Sequence, residues 1–181
     1  MLIETPICDF GWKAPAFSLS DFDGKIWKLE DVMGSKGTLI AFICNHCPYV
    51  KAVIGNFVDD AKKLQAAGIG VAAVMSNDYL SYPSDSPENM KVFSQENSFS
   101  FPYLIDEKQE IAKAYDAVCT PDFFGFDADR GLQYRGRLDA STAKIVPDAK
   151  RELLNAMLNV AETGKGPKDQ IASMGCSIKW A

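Results

Sequence analysis

The densest group of reactive side chains in this chain lies in residues 42–51, FICNHCPYVK. This stretch contains Cys44 and Cys47, two of the five cysteines, and His46, the only histidine. A cysteine thiolate is both a nucleophile and a metal ligand, and a histidine beside it can move a proton or bind the same metal. The stretch therefore predicts either thiol redox chemistry or a Cys/His metal site.

Cys47 is the better candidate nucleophile because of the proline that follows it. Pro48 suits the first position of a helix, since it has no N–H to leave unpaired and its φ angle is already helical. Cys47 would then be the N-cap, and the free N–H groups of Tyr49 and Val50, with the helix dipole, would favour its thiolate. Cys44 lies in or just after the preceding strand and lacks this support. We therefore assign Cys47 as the catalytic nucleophile and Cys44 as its resolving partner.

Other cysteines compete for the resolving role. A disulfide needs Cα atoms about 4.4–6.8 Å apart, whereas three residues of extended chain span roughly 10 Å. Cys44 can therefore pair with Cys47 only if the two residues between them form a turn, and Cys119 and Cys176 stay open as alternatives. His46 is expected either to act as an acid or base beside the thiolate or to be a polar surface group.

The elements around this stretch indicate alternating strands and helices. Residues 38–44, TLIAFIC, form a continuous apolar run typical of a strand that is buried on both faces. Residues 48–67 repeat apolar side chains at three- and four-residue steps, which predicts a helix that Gly68 ends. Residues 69–77 predict a second buried strand.

Further elements follow from turn and cap signals. They are a hairpin around Asp23-Gly24, a helix from Ser86-Pro87 to about Asn97, a strand in FPYLID, a helix in EKQEIAKAYDA, two strands within residues 119–138, and a helix over residues 147–162. This order predicts an α/β fold with a mixed central sheet, helices on both faces and an N-terminal hairpin. We expect one domain over residues 1–181, with an N-terminal arm over 1–15 and a C-terminal tail over 163–181.

Composition argues against several classes of partner. The formal net charge is −5 without a basic block, so nucleic acid is not an expected partner. The longest apolar runs fall far short of the roughly 20 residues that span a bilayer, and the first residues do not resemble a signal peptide. A cytoplasmic location without a membrane partner is therefore expected. Thiols stay reduced there, so the cysteines should be catalytic or metal-binding rather than structural.

The order of elements and the cysteine motif resemble the thioredoxin superfamily. Members of that superfamily carry an aromatic residue five positions before the nucleophilic cysteine, as Phe42 precedes Cys47 here, and Val50 takes the place of their second cysteine. CTPDFFGFD resembles the cis-proline strand, with Pro121 as the cis-proline and Thr120 before it. The resemblance implies a thioredoxin-like fold in which this strand lies against the nucleophile. Thr120 would then offer main-chain hydrogen bonds to an extended substrate.

A more specific resemblance is to the peroxiredoxin-like branch, the alkyl hydroperoxide reductase and thiol-specific antioxidant family. The segment from about 78 to 115 resembles the insertion of that branch, and CNHCPYVK, CTPDFF, YRGRLD and GCSIKW together resemble a bacterial subgroup of it. Peroxiredoxins carry Pro-x-x-x-Thr-x-x-Cys, but here Cys44 replaces the threonine and the proline is missing. The resemblance implies a thiol–disulfide oxidoreductase or thiol-based antioxidant, with a peroxiredoxin-type thiol peroxidase as the alternative. The expected partners are a protein or small-molecule disulfide or a peroxide, together with a reducing thiol donor.

Two other readings of the cysteines stay open. Cys44, His46 and Cys47, with Cys119 or Cys176, would give a ligand set suited to zinc or copper(I). Their spacing is not that of a zinc finger, so we expect no bound metal and no other cofactor. The remaining alternative is a redox-silent interaction module that has kept only the fold. The oligomeric state does not follow from the sequence.

Overall fold

Ten strands and five α-helices make up the fold, in a computed structural model that describes residues 1–181. The strands are β1 (Leu2–Glu4), β2 (Ser18–Asp21), β3 (Ile26–Lys28), β4 (Gly37–Phe42), β5 (Ile69–Met75), β6 (Tyr103–Ile105), β7 (Cys119–Thr120), β8 (Asp122–Phe126), β9 (Leu132–Tyr134) and β10 (Met174–Ser177). The helices are α1 (Leu29–Val32), α2 (Pro48–Ala66), α3 (Pro87–Glu96), α4 (Glu110–Tyr115) and α5 (Glu152–Thr163), and a 3-10 turn spans Pro83–Asp85.

The apolar run after Gly37 forms β4, a strand whose six residues are all buried. It pairs in parallel with β5 and antiparallel with β8. The seven-stranded sheet has the order β3-β2-β6-β5-β4-β8-β9, so β4 lies inside it and its C-terminal end points toward the start of α2. The predicted mixed sheet is confirmed, and the strand ends two residues earlier than expected.

Helices cover both faces of this sheet, as the sequence predicts. Alternate residues of a strand point to opposite faces, and Leu39 and Ala41 belong to an apolar cluster with residues of α2, α3 and α5. Ile40 and Phe42 belong to a second cluster with residues of α1 and α4. Because both faces are covered, β4 is apolar throughout instead of alternating. No helix in the structure is both long enough and apolar enough to cross a membrane.

Local turn and cap signals place two further elements correctly. In the hairpin between β2 and β3, the Asp21 carboxylate accepts hydrogen bonds from the N–H groups of Asp23 and Lys25 at 2.9 and 3.0 Å. At the start of α3, the Ser86 hydroxyl accepts a hydrogen bond from the N–H of Asn89 at 3.3 Å. Each signal acts within five residues of chain, which is why the sequence alone reveals it.

The two ends of the chain form a second sheet, which the sequence analysis missed. This three-stranded antiparallel sheet has the order β1-β10-β7, with Leu2 opposite Cys176 and Cys176 opposite Thr120. We expected an arm over residues 1–15 and a tail over residues 163–181 with a loop-like start and an apolar end, and not a sheet between them. Strand pairing between the two ends of a chain has no local signature, so these short strands could not be recognised.

Helix α5 begins five residues later than its apolar periodicity suggests. Asp148 has a φ angle of 55°, which a helix cannot accommodate. Arg151, the N-cap of α5, extends its guanidinium to α2, where it lies 2.7 Å from the buried Asp60 carboxylate and 3.1 Å from the Asn56 oxygen. The expected start at residue 147 was therefore wrong.

Candidate active site

Cys47 occupies the position that Pro48 indicates, the N-cap of α2. Its sulfur, however, accepts no capping hydrogen bond from the helix, so the expected role of the Tyr49 and Val50 N–H groups was wrong. The Val50 N–H donates to the main-chain oxygen of Cys47 at 3.1 Å. The Cys47 side chain is 0 % exposed and turns toward β7, where its Sγ lies 3.3 Å from the Thr120 oxygen.

When protonated, Cys47 donates a hydrogen bond to the main-chain oxygen of Thr120, and three neighbouring residues favour its ionised form. The Cys44 thiol has the largest effect, and the Thr120 side chain and both the thiol and the main-chain N–H of Cys176 add to it. Together they outweigh the opposing effect of burial and lower the pKa of Cys47 to about 4. The surroundings of Cys47 therefore favour its thiolate over its thiol.

Cys44 has the opposite electrostatic environment. Its hydrogen bond to Cys47, its burial and the negative charge of Asp85 raise its pKa well above the usual range. The side chain is 1 % exposed, and its sulfur lies 3.5 Å from the Thr120 hydroxyl. A bend in the chain after Cys44 brings its sulfur to Cys47, which fulfils the condition for a contact between them. Cys44 is thus a protonated thiol that donates to a thiolate.

His46 is held against a buried carboxylate. Its Nδ1 lies 2.7 Å from Oδ2 of Asp85, which is 0 % exposed, whereas His46 itself is about one-third exposed. Nδ1 makes no hydrogen bond of accepted geometry, so this short contact fixes the position of the ring without an aligned hydrogen bond. The imidazole ring also stacks on the ring of Tyr82, with the ring centroids 6.1 Å apart and an angle of 4° between the ring planes.

Asp85 is also the centre of a buried polar network. Its carboxylate accepts hydrogen bonds from the main-chain N–H of Asn45 at 2.8 Å and from the Asn77 amide at 2.9 Å. The Tyr103 hydroxyl donates to the Asn45 side-chain oxygen at 2.9 Å, and the Lys179 N–H donates to the Asn77 oxygen at 2.9 Å. The network connects the cysteine loop to the end of β5 and to the C-terminal segment.

A small cation has one candidate position in this network. The Cys44 sulfur, a ring nitrogen of His46 and a carboxylate oxygen of Asp85 lie within 4.8 Å of one another. This set differs from the expected one, because it contains Asp85 and includes neither Cys47 nor Cys119 or Cys176. The Asp85 oxygens already accept two hydrogen bonds and contact His46.

The peptide bond between Thr120 and Pro121 is cis, as the resemblance implied. The edge of Thr120 that was expected to receive an extended substrate is nevertheless paired with β10, where Cys176 lies opposite Thr120. The Ser173 hydroxyl also donates to the Pro121 oxygen at 2.7 Å. The C-terminal segment therefore covers the cis-proline, and this expected free edge does not exist.

Cys119 is separate from the other three thiols. Its sulfur is fully buried and contacts the Pro121 oxygen at 3.6 Å, and burial strongly raises its pKa. Adjacent residues of a strand point to opposite faces, so Cys119 turns away when Thr120 faces the nucleophile. The structure thus brings Cys44 and Cys176 to Cys47, and not Cys119.

A family comparison agrees with this arrangement. The model of the AhpC/TSA family matches residues 10–135, which include β2 to β9 and the Cys44–Cys47 loop. The chain belongs to the AhpC/TSA family. Strands β1 and β10 lie outside the matched residues, so the second sheet extends the part of the fold that the AhpC/TSA model describes.

Three similar proteins show how closely this chain matches known sequences and structures. The crystal structure of an uncharacterized conserved protein from Geobacillus kaustophilus is 44% identical, with a TM-score of 0.94, and the match covers 100% of this chain and 97% of the other. The thiol–disulfide oxidoreductase ResA of Bacillus thuringiensis is 25% identical over 77% of this chain and 80% of its own. A Mycobacterium tuberculosis protein with a peroxiredoxin name is 25% identical over 85% of this chain and 87% of its own. These relatives and the AhpC/TSA assignment identify a thioredoxin-like fold and a thiol-dependent oxidoreductase.

The residue that sequence analysis missed is Asp85. It lies in the stretch SDSP, where Ser86 and Pro87 predict only a helix start. Asp85 is 40 residues from Asn45 along the chain, and the contact depends on how the insertion folds back onto the cysteine loop. The available signal was the lone histidine, since a buried carboxylate is a common partner of an imidazole.

Proposed function

We propose that this AhpC/TSA-family protein is a thiol–disulfide oxidoreductase with Cys47 as its nucleophile. One observation carries the proposal: the Cys47 sulfur lies at the start of α2, 3.3 Å from the main-chain oxygen of the residue before the cis-proline, where Cys44, Thr120 and Cys176 lower its pKa to about 4. The thiolate is the reactive form of a cysteine. Within the AhpC/TSA family, the motifs CNHCPYVK and GCSIKW assign the chain to a peroxiredoxin-like bacterial subgroup. We also propose a cytoplasmic location, where thiol reductants keep free cysteines reduced.

The first step is a thiol–disulfide exchange. The Cys47 thiolate attacks one sulfur of the substrate disulfide, so that a Cys47–substrate disulfide forms and the second substrate sulfur leaves as a thiolate. A second thiol of the protein then attacks the Cys47 sulfur and releases the first substrate sulfur. The protein dithiol becomes a disulfide, and the substrate disulfide becomes two thiols. An external thiol donor returns the protein to its reduced state.

Cys44 and His46 have supporting roles in this proposal. Cys44 keeps its proton and stabilises the Cys47 thiolate by donating a hydrogen bond to it. His46, oriented by Asp85 and Tyr82, supplies a proton to the leaving thiolate as a general acid. Asp85 is a positioning residue in this account, because it contacts His46 and the Asn45 N–H.

Steady-state turnover with a model disulfide and a thiol reductant tests the nucleophile. We expect Cys47→Ser to abolish turnover, because the serine hydroxyl does not ionise at neutral pH. Cys8→Ser is the matched control, since Cys8 is a half-buried cysteine of the N-terminal segment that does not contact Cys47. Full activity of Cys47→Ser would refute the proposal, as would loss of activity in both variants alike.

A thiol peroxidase is the second candidate function. It is favoured by the AhpC/TSA assignment, and also by the Thr120 side chain, whose hydroxyl lies 3.5 Å from the Cys44 sulfur and helps to lower the pKa of Cys47, although the usual peroxiredoxin threonine is replaced by Cys44. In this reaction the Cys47 thiolate attacks a peroxide oxygen, and a sulfenic acid and an alcohol or water are formed. Stopped-flow mixing with hydrogen peroxide separates the two functions. An oxidation rate no faster than that of free cysteine would eliminate the peroxidase.

Metal binding is the third candidate, on the contact set of Cys44, His46 and Asp85. A thiolate, an imidazole and a carboxylate suit zinc. Cys44 would then lose its proton to the metal and could no longer donate to Cys47. Metal analysis of the purified, reduced protein decides the matter: one equivalent of zinc, lost in His46→Ala, would favour this candidate over the oxidoreductase.

A further inference from the structure

Strand β10 occupies the place where an extended substrate was expected. Cys176 lies opposite Thr120, and Ser177 lies opposite Cys119, in an antiparallel pair. On its other side β10 pairs with β1. A polypeptide that binds by adding a strand to an open edge could therefore reach Thr120 only by displacing β10.

The approach of β10 to β7 depends on a glycine. A Cβ atom at Gly175 would lie 1.9 Å from the Thr120 oxygen, which is a main-chain atom that cannot rotate away. On the N-terminal side of the strand, the Ser173 hydroxyl binds the Pro121 oxygen at 2.7 Å, and the Ser173 oxygen accepts from the Thr5 N–H at 2.9 Å. The sequence GCSIKW thus begins with glycine, which has no Cβ and therefore permits this close contact with Thr120.

The residues after β10 are fixed as well. The Lys179 N–H donates to the Asn77 side-chain oxygen at 2.9 Å, and the Lys179 oxygen accepts from the Asp78 N–H and the Gln109 amide, both at 2.8 Å. Ile178 is 3 % exposed and belongs to the apolar cluster of α1 and α4. The strand is held on both sides, so it is part of the folded site rather than a loose tail.

Strand β10 places a cysteine opposite Thr120, and in this respect it resembles a bound polypeptide substrate. Cys176 lies opposite Thr120, whose main-chain oxygen is 3.3 Å from the Cys47 sulfur, and the thiol and main-chain N–H of Cys176 help to lower the pKa of Cys47. We propose that β10 is a built-in substrate strand: it excludes extended polypeptides from Thr120, so that Cys47 reacts with small-molecule disulfides, and it supplies Cys176 as the resolving thiol. This inference rests on the proposed function of Cys47.

The exchange balances with these two cysteines. After the Cys47 thiolate has attacked a small disulfide and one thiolate has left, the Cys176 sulfur attacks the Cys47 sulfur. The Cys47–substrate bond breaks, the Cys47–Cys176 bond forms, and the Cys176 proton passes to the departing sulfur. One external disulfide has become two thiols, and an external thiol donor then reduces the Cys47–Cys176 disulfide.

Cys176 suits this role better than Cys44. Cys44 is 1 % exposed and lies beside the Asp85 carboxylate, so both burial and charge oppose its ionisation. Cys176 is partly exposed, and Lys179 opposes the rise in its pKa, which burial and the Cys47 hydrogen bond bring to about 11. A partly exposed sulfur can also be reached by the external reductant. Cys44 is then left as the permanent hydrogen-bond donor.

Rates of Cys47 oxidation by a small disulfide and by a peptide disulfide test the substrate class. The probes are glutathione disulfide and the mixed disulfide of glutathione with an unstructured cysteine-containing peptide. We expect the wild-type protein to react with the small disulfide at least about tenfold faster. Equal rates would overturn the inference but leave the proposed function intact, whereas no reaction with either probe would end both.

A glycine substitution tests whether β10 causes the preference for the small disulfide over the peptide disulfide. Gly175→Ala should raise the rate with the peptide disulfide relative to the rate with glutathione disulfide, because the added methyl group displaces β10. Gly55→Ala is the matched control, since nothing lies within 4 Å of a Cβ at that exposed position. Ser173→Ala is a milder variant that removes only the hydroxyl bond to Pro121 and should change the ratio in the same direction. An unchanged ratio in both β10 variants would overturn the inference.

Peptide mapping of the oxidised wild-type protein tests the resolving thiol without any variant. Oxidation by one equivalent of glutathione disulfide should give a Cys47–Cys176 disulfide. Cys176→Ser should instead accumulate the Cys47–glutathione mixed disulfide, whereas Cys8→Ser should behave as the wild type. A Cys47–Cys44 disulfide in the wild type would overturn the assignment of Cys176.

Discussion

The sulfur of Cys47 and the main-chain oxygen of Thr120 lie 3.3 Å apart, although 73 residues separate them along the chain. This contact joins the first turn of α2 to the residue before the cis-proline. It also places Cys47 between Cys44, which precedes it in the loop, and Cys176, which lies opposite Thr120. The reactivity of one sulfur therefore depends on donors from three segments, and each donor can be removed separately.

Removal of the Cys44 thiol should make Cys47 less acidic. Cys44→Ala deletes the donor with the largest effect on that sulfur, and a hydrogen bond to a charged group contributes about 1.5–3 kcal/mol. We expect the pKa of Cys47 to rise by roughly one to two pH units. The measurement is the pH dependence of the Cys47 alkylation rate in the variant and in the wild type.

The matched control for Cys44→Ala is Cys8→Ala, which removes a thiol that makes no contact with Cys47. Its alkylation profile should superimpose on that of the wild type. An unchanged Cys47 profile in Cys44→Ala would contradict the assignment of Cys44 as the main donor.

Asp85 should contribute strongly to stability as well as to the position of His46. In Asp85→Ala, the buried N–H of Asn45 and the amide of Asn77 lose their acceptor. Each unsatisfied buried donor costs about 1–3 kcal/mol, so the free energy of unfolding should fall by about 3 kcal/mol. Urea denaturation measures this loss. Asp59→Ala, at an exposed position of α2, is the control and should stay within about 0.5 kcal/mol of the wild type; an equal effect of the two substitutions would contradict the network.

The Cys47 thiolate should also make stability depend on pH. Its folded-state pKa of about 4 lies below the usual thiol value of 9.0, so the folded protein binds fewer protons than the unfolded chain between these values. Its contribution is therefore fully present above pH 9 and is lost as the pH falls toward 4. The difference in unfolding free energy between the wild type and Cys47→Ser, measured in urea under reducing conditions, should increase with pH across this range. A difference that does not change with pH would show that the folded protein does not stabilise the thiolate.

The sequence predicted those parts of the site that depend on neighbouring residues. Pro48 marks the start of α2 and so identifies Cys47 as its N-cap, and the apolar run after Gly37 identifies the strand that precedes it. The direction of the Cys47 sulfur was not predictable in this way. It is set by a hydrogen bond to the Thr120 oxygen and by the neighbouring Cys176, which come from distant parts of the chain.

The second sheet and the Asp85 network show the same limit. Strand β10 consists of Met174–Ser177, which has neither clear alternation nor a turn signal, and it exists because β1 and β7 pair with it. Asp85 has a cap-like sequence context, yet its carboxylate binds Asn45 and Asn77. Both features result from the folding of distant segments onto the cysteine loop, so the composition of each segment does not reveal them.

The most direct test of the central claim is the alkylation rate of Cys47 as a function of pH in the reduced wild-type protein, with the modified residue identified by peptide mapping. The account predicts that the rate reaches half of its maximum near pH 4, because Cys44, Thr120 and Cys176 stabilise the thiolate. A midpoint at about pH 8.5, the pKa of an ordinary free cysteine, would contradict it.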